Sequence, residues 1–255
     1  PLPGDWLVEL VAIIGIGDLD VSTLPESVNG TLTFKAALPP TGLGDIANHP
    51  AESAIRIAVG ERLMDGFSDG TFKPDAALTR IALADYLTMG AEVRQSFPLD
   101  GSKTFTDLTA TQIPFAEAVA ARSAALRDRF YQFRGVMLAT APGKFSPKVS
   151  VRRVDQAYSL VQALGLEKEA LQLTGQQVTV VHEGKRIPID DQAEIPAGFE
   201  GYVQLALDLN IMSAFFTVEQ GPGELQPTTH ARFKPLLSVT RGNYATDVTR
   251  FFNAF

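Results

Sequence analysis

One short pattern occurs three times in this chain, and its recurrence restricts the possible folds more than any other feature. Phe72-Lys73-Pro74 is followed by Thr79-Arg80, Phe145-Ser146-Pro147 by Arg152-Arg153, and Phe233-Lys234-Pro235 by Thr240-Arg241. The interval from Phe to the last Arg is eight residues in every copy, so Arg80, Arg153 and Arg241 are equivalent positions. Such recurrence marks an internal repeat. The copies lie 73 and 88 residues apart, which makes the chain a divergent triplication and not a regularly stacked solenoid.

A helix is expected after each Arg, because apolar residues recur there at three- and four-residue steps. The positions are Ile81, Ala84 and Leu87, then Val154, Ala157, Val161 and Leu164, then Tyr244, Val248 and Phe251. The same rhythm precedes each motif, through Ile55, Val59 and Leu63, through Val119, Arg122 and Leu126, and through Tyr202, Leu205 and Leu209. The unit is therefore helix, loop, helix. Aligning Leu63-Met64 with Ile211-Met212 leaves seven residues before Phe72 and twenty before Phe233, so the third loop is thirteen residues longer.

Two β features stand outside this rhythm. Gln177–His182 and Lys185–Ile189 flank Glu183-Gly184, a hairpin signal, with Pro188 confining the second strand to an edge. This insertion, between copies two and three, serves either as packing cover or as a partner-binding edge. Nearer the start, Trp6–Ile14 and Gly30–Lys35 are β-rich runs, and Pro39-Pro40-Thr41-Gly42 reads as a linker.

The first copy carries a family resemblance. Gly66-Phe67-Ser68-Asp69-Gly70-Thr71-Phe72-Lys73-Pro74, followed by Leu78-Thr79-Arg80, resembles the surface-layer homology domain, whose signature reads roughly G-Y-x-D-G-T-F-x-P and then I-T-R-A-E. Copies two and three keep Phe-x-Pro, the Arg and the flanking helices, and together the three resemble that family's usual triplet over residues 44 to 255. The resemblance implies a mainly α fold in which the helices after the motif form a pseudo-threefold central bundle. It also implies non-covalent anchoring of an exported bacterial protein to a wall polysaccharide or peptidoglycan-linked polymer at the cell surface. The family's acidic residue after Thr-Arg-Ala survives only as Asp155, and the one tryptophan, Trp6, lies outside the copies.

Thr79 and Thr240 are good N-cap residues, which puts Arg80 and Arg241 in a first helical turn, where a cation costs about 0.3–1 kcal/mol. Three such placements call for a compensating partner. Two readings stand. In the first, each Arg is an internal latch, Arg80 to Asp45, Asp69 or Asp75, and Arg153 to Asp107 or Asp155. In the second, guanidinium and helix N-terminus together seat a carboxylate. The family resemblance makes that carboxylate a pyruvyl ketal on a terminal sugar. On that second reading the arginines are exposed, and Arg→Ala is expected to change stability by less than about 0.5 kcal/mol.

An acid also recurs before the first helix of each copy, as Asp45-Ile46, Asp107-Leu108 and Glu194-Ile195. Carboxylates accept from sugar hydroxyls, but an acid in this place is first of all a helix cap or dipole partner.

Composition closes off other classes. A net charge of −7 and the lack of a basic stripe interleaved with aromatics argue against nucleic acid. The absence of cysteine excludes disulfides and thiolate metal sites. Leu7 to Gly17, the longest apolar stretch, contains Glu9 and is shorter than the ~20 residues of a spanning helix. His49, His182 and His230 are not at metal-ligand spacing, Asp18 and Asp20 lack the other ligands of a calcium loop, and no nucleophile elbow, zincin motif or phosphate loop is present. No cofactor is expected.

The expected organisation is a β-rich segment and linker over 1–43, repeats over 44–103, 104–172 and 195–255, and the inserted hairpin over 173–194. The leading function is non-catalytic wall anchoring, with the 1–43 segment ending an upstream β domain of the same secreted polypeptide, weakly resembling the β domain of some subtilisin-like proteases. The alternative is an assembly module that no longer binds glycan; a glycoside hydrolase ranks third, since no carboxylate pair is fixed by spacing.

Overall fold

The structure, a computed structural model, describes residues 43–89, 103–121, 134–220 and 226–253, all within one compact unit, 42–255. The β-rich runs expected before residue 43, and the helical positions Arg122 and Leu126, lie outside the described residues. Those described form a mainly helical body with two small antiparallel sheets.

Helices α1 (Glu52–Gly60), α3 (Ile113–Ala120) and α6 (Glu200–Asp208) lead the three copies. Helices α2 (Arg80–Met89), α4 (Arg153–Ala163) and α7 (Arg241–Phe252) follow the three motifs, and the short α5 (Glu167–Gln172) comes after α4. Local chemistry sets several helix starts. Thr79 Oγ1 accepts from Ala82 N at 3.3 Å and Thr240 Oγ1 from Asn243 N at 3.2 Å, the N-cap geometry expected of those residues. At α1, Glu52 accepts from Asn48 N at 2.9 Å and pairs one turn on with Arg56 at 2.8 Å.

Packing couples one copy to the next. Helix α2 packs on α3, α4 on α6, and α7 returns to α1, so each motif helix meets the leading helix of the following copy and the order closes. Backbone hydrogen bonds close in the same way at Leu78, Val151 and Val239, all buried. Val151 N donates to Leu78 O, Val239 N to Val151 O, and Leu78 N to Val239 O, each at 2.8 Å. Beside this ring Phe72, Phe145 and Phe233 are fully buried, each contributing roughly 1.5–3 kcal/mol of hydrophobic stabilisation. Of the apolar positions expected in the core, Ala84, Leu87, Val154, Val161, Tyr244 and Val248 are buried and Ile81 is half-buried.

Helix α4 is buried along its whole length apart from Asp155, which forces its polar side chains to find partners inside the protein. Gln156 Nε2 donates to Asp247 Oδ2 of α7 at 2.8 Å, and Tyr158 OH donates to Gly135 O at 2.8 Å. Between α2 and α7 the rings of Tyr86 and Tyr244 stack at 6.0 Å.

The hairpin read from Glu183-Gly184 is formed by β1 (Thr179–His182) and β2 (Lys185–Pro188). Its turn residues have φ 49° and 77°, both left-handed, as a two-residue type I′ connection requires. A second hairpin, β3 (Phe215–Glu219) with β4 (Thr228–Arg232), occupies the longer third loop. His182 of the first hairpin stacks on Phe216 of the second at 4.5 Å. Below β1, α6 packs against α5 at Gly201, where a Cβ would stand 1.9 Å from Ala170 O; only glycine permits that approach.

Candidate functional site

The motif loop is built the same way three times. In Phe-x-Pro the middle residue is left-handed, with φ 56°, 56° and 55° at Lys73, Ser146 and Lys234, although none is glycine. A non-glycine residue there costs on the order of 1–2 kcal/mol. A carboxylate offsets that cost by gripping two successive amides. Asp45 accepts from Phe72 N and Lys73 N at 2.8 and 2.6 Å, and Asp107 from Phe145 N and Ser146 N at 3.0 and 2.8 Å. In the third copy Asp191 accepts from Phe233 N and Lys234 N at 2.9 and 2.7 Å.

The recurring acid of copy three is therefore Asp191 and not Glu194, which lies exposed in a 3-10 turn, Gln192–Glu194, three residues on. Nor are these acids helix caps, since they hold the loop amides that place the arginine's target carbonyl. Burial pushes the Asp45 and Asp107 pKa values up, but the amide N–H donors outweigh it and hold both below the ordinary carboxylate value.

The three equivalent arginines face inward. Arg80, Arg153 and Arg241 are 6%, 5% and 5% exposed. Each reaches carbonyls of the following copy. Arg80 Nε donates to Phe145 O at 2.8 Å and Nη2 to Leu138 O at 2.5 Å; Arg153 Nε donates to Phe233 O at 2.8 Å and Nη2 to Ser213 O at 2.6 Å. Arg241 Nε and Nη2 donate to Phe72 O and Asp65 O, both at 2.7 Å, and Nη1 to Tyr86 OH. This is latch geometry, with carbonyl acceptors where carboxylates were expected. Burial lowers the Arg80 and Arg153 pKa values, yet the guanidinium group remains charged in proteins.

The helix N-termini are occupied in the same manner. Arg80 N and Ile81 N donate to Val149 O and Pro147 O, Arg153 N and Val154 N to Leu237 O and Pro235 O, and Arg241 N and Gly242 N to Ala76 O and Pro74 O. The donors that would seat an anion are already spent on the next copy's loop. These carbonyls also explain how a cation tolerates the positive end of a helix.

Aromatic rings complete each junction, and here the copies differ. Arg241 lies over Phe67 and Phe72, both at 4.5 Å, while Lys73 Nζ sits 4.3 Å from the Phe67 centroid. Arg153 lies over Phe215 at 4.9 Å and Phe233 at 4.7 Å, with Lys234 Nζ 4.3 Å from Phe215. Phe67 and Phe215, 42% and 39% exposed, are large apolar rings left open between two cations. At the Arg80 junction the equivalent positions hold Thr140 and Ser146, whose hydroxyls bond each other at 2.7 Å. The signal for Phe67 lies in the G-Y-like position of copy one; Phe215 opens β3 of the second hairpin, which displaces it from that spacing.

The remaining expected site residues have local roles. Asp69 accepts from Thr71 Oγ1 at 2.6 Å and Thr71 N at 3.0 Å and pairs with Lys73 at 3.1 Å, which lowers its pKa to about 2. Asp155 pairs with Arg152, at 2.8 and 2.9 Å, and not with Arg153. His49 meets Asp75 at 3.3 Å and His230 meets Asp190 at 3.0 Å. Among the described residues no group of three His, Asp or Glu could hold a metal, and no helix is long and apolar enough to cross a membrane.

Residues 43–84 match the family model of the S-layer homology domain. The match covers the first copy from its acid through the start of α2 and stops before the other two. The chain thus carries an S-layer homology domain, a module that anchors proteins to cell-wall polymers in general, and it is associated with the cell surface or wall. No curated protein matches the chain.

Proposed function

We propose that the chain is a non-catalytic anchoring module whose three S-layer-homology-like copies form a pseudo-threefold body and bind an anionic wall polysaccharide in the junctions between copies. The closed order of the inter-copy hydrogen bonds supports the body. One observation carries the ligand assignment: at two junctions an exposed phenylalanine lies between a buried arginine and a lysine. A flat apolar ring suits the C–H face of a pyranose, and the ammonium beside it suits a carboxylate such as a pyruvyl ketal. Arg153 and Arg241 hold ring and loop in place and add positive field, while Lys73 and Lys234 are the cations within reach of solvent. The Arg80 junction has only the buried Phe145 ring, with Thr140 and Ser146 where the Arg241 junction has Phe67 and Lys73, and binds most weakly.

The test is electrostatic. Affinity for purified wall carrying the polymer falls as salt rises and falls again below the polymer's own acid pKa. A methyl ester of the same glycan binds poorly, and Lys73→Gln with Lys234→Gln flattens the salt dependence. Binding indifferent to salt and esterification overturns the anionic assignment. The second reading, an assembly module, draws on Val181, Phe216 and Val218, all exposed on the two hairpins. It predicts concentration-dependent self-association and no sedimentation with wall.

A further inference from the structure

The β1–β2 insertion has no part in the junctions, yet with the end of α5 and one face of α6 it forms a half-open polar pocket of about 230 Å³. Seven polar residues line it, Thr179 among them with Gln176, Gln177, Arg186, Glu200, Gln204 and Asp208. Leu173 and Val178 add an apolar strip. We infer that this pocket is a second carbohydrate subsite, taking one neutral sugar unit.

The walls are pre-organised. Gln204, buried in α6, clamps the β1 main chain with both ends of its amide: Oε1 accepts from Thr179 N at 2.7 Å and Nε2 donates to Thr179 O at 3.0 Å. Arg186 is held at two points, by Asp208 at 2.9 Å and by Thr179 Oγ1 at 3.1 Å. Fixed polar groups bind without the ordering cost that mobile ones carry.

Charge and size select the ligand class. Arg186 is already neutralised by Asp208, and Glu200 adds a further negative charge, so an anion is disfavoured. A cation would compete with Arg186 for Asp208. A neutral polyol, with hydroxyls that both donate and accept, matches the amides and carboxylates together. Its C–H groups match Leu173 and Val178. The volume lies below the roughly 300–1,000 Å³ of drug-sized sites, which limits the occupant to one ring. Two residues are open to a ligand: Gln177 is exposed, and Glu200 spends one oxygen on Gly198 N at 2.8 Å.

Amide chemical shifts of the ¹⁵N-labelled chain, titrated with glucose, galactose, N-acetylglucosamine and, separately, glucuronate, provide the test. A saturable shift with at least one neutral sugar is expected at Gln177, Thr179, Arg186 and Gln204. Gln177→Ala and Glu200→Gln, which spare the clamp, should each weaken it at least threefold, while Phe67→Ala with Phe215→Ala leaves it unchanged. That last variant separates this subsite from the junction reading. No saturable shift with any neutral sugar, shifts confined to an acidic sugar such as glucuronate, or shifts unaltered by Gln177→Ala and Glu200→Gln overturn the proposal.

Discussion

At the residue scale the fold rests on buried arginines that meet neutral partners. Arg→Ala at 80, 153 or 241 leaves two carbonyls of the next copy without their side-chain donor, and each buried acceptor left unsatisfied costs about 1–3 kcal/mol. Arg→Lys does little better, because a single ammonium cannot reproduce the fork. Chemical denaturation should therefore give losses far above the 0.5 kcal/mol expected of an exposed helix-start cation. Ser146→Gly, by contrast, relieves a left-handed side chain and should stabilise by up to about 1 kcal/mol. A third residue gives a pH signature. Burial, only partly offset by Arg153, Gln156 and Arg250, pushes the Asp247 carboxyl up to about 6. A raised folded pKa favours the protonated form, so its contribution is complete below the unfolded value near 3.8 and is lost as pH rises through about 6. Asp45 and Asp107, with lowered values, act oppositely, and their contribution is lost as pH falls through the folded pKa. Hence Asp247→Asn should be more stable than the parent chain at pH 7, with the difference vanishing near pH 4; equal pH profiles would contradict this.

At the element scale much was legible, and the failures have physical causes. The helices after Arg80 and Arg241 follow from threonine caps and apolar periodicity, that after Arg153 from periodicity alone, and β1–β2 from Glu183-Gly184. The second hairpin has its signal in Phe215-Phe216-Thr217-Val218 and in the turn-prone Gly221-Pro222-Gly223, although alignment of the copies shows only a longer loop there. The 3-10 turn Gln192–Glu194 put an acid beside Ile195 that imitates Asp45-Ile46, while the working carboxylate, Asp191, stands before the turn. Arginine burial was not legible, because its acceptors are backbone carbonyls, which every residue carries. Helix contact makes its own prediction at Gly201. Gly201→Ala drives a Cβ into Ala170 O, so α5 must shift from α6, and thermal unfolding should show a loss of about 1–3 kcal/mol.

At the scale of the whole molecule, the hydrogen bonds among Leu78, Val151 and Val239 tie the copies into one closed set, so each should unfold only with the others. The net charge of −7 repels an anionic polymer at long range, which leaves recognition to local cations and to rings that desolvate a sugar face. Among the described residues, Lys73 with Phe67 and Lys234 with Phe215 are the two places where both occur together. The measurement that tests this most directly is co-sedimentation with wall sacculi, with and without their accessory polymer, for the parent chain, Phe67→Ala with Phe215→Ala, and Thr140→Ala. Polymer-dependent binding should fall at least tenfold, about 1.4 kcal/mol, in the double variant under conditions where it remains folded, and be untouched in Thr140→Ala. Full binding by a folded double variant would contradict it.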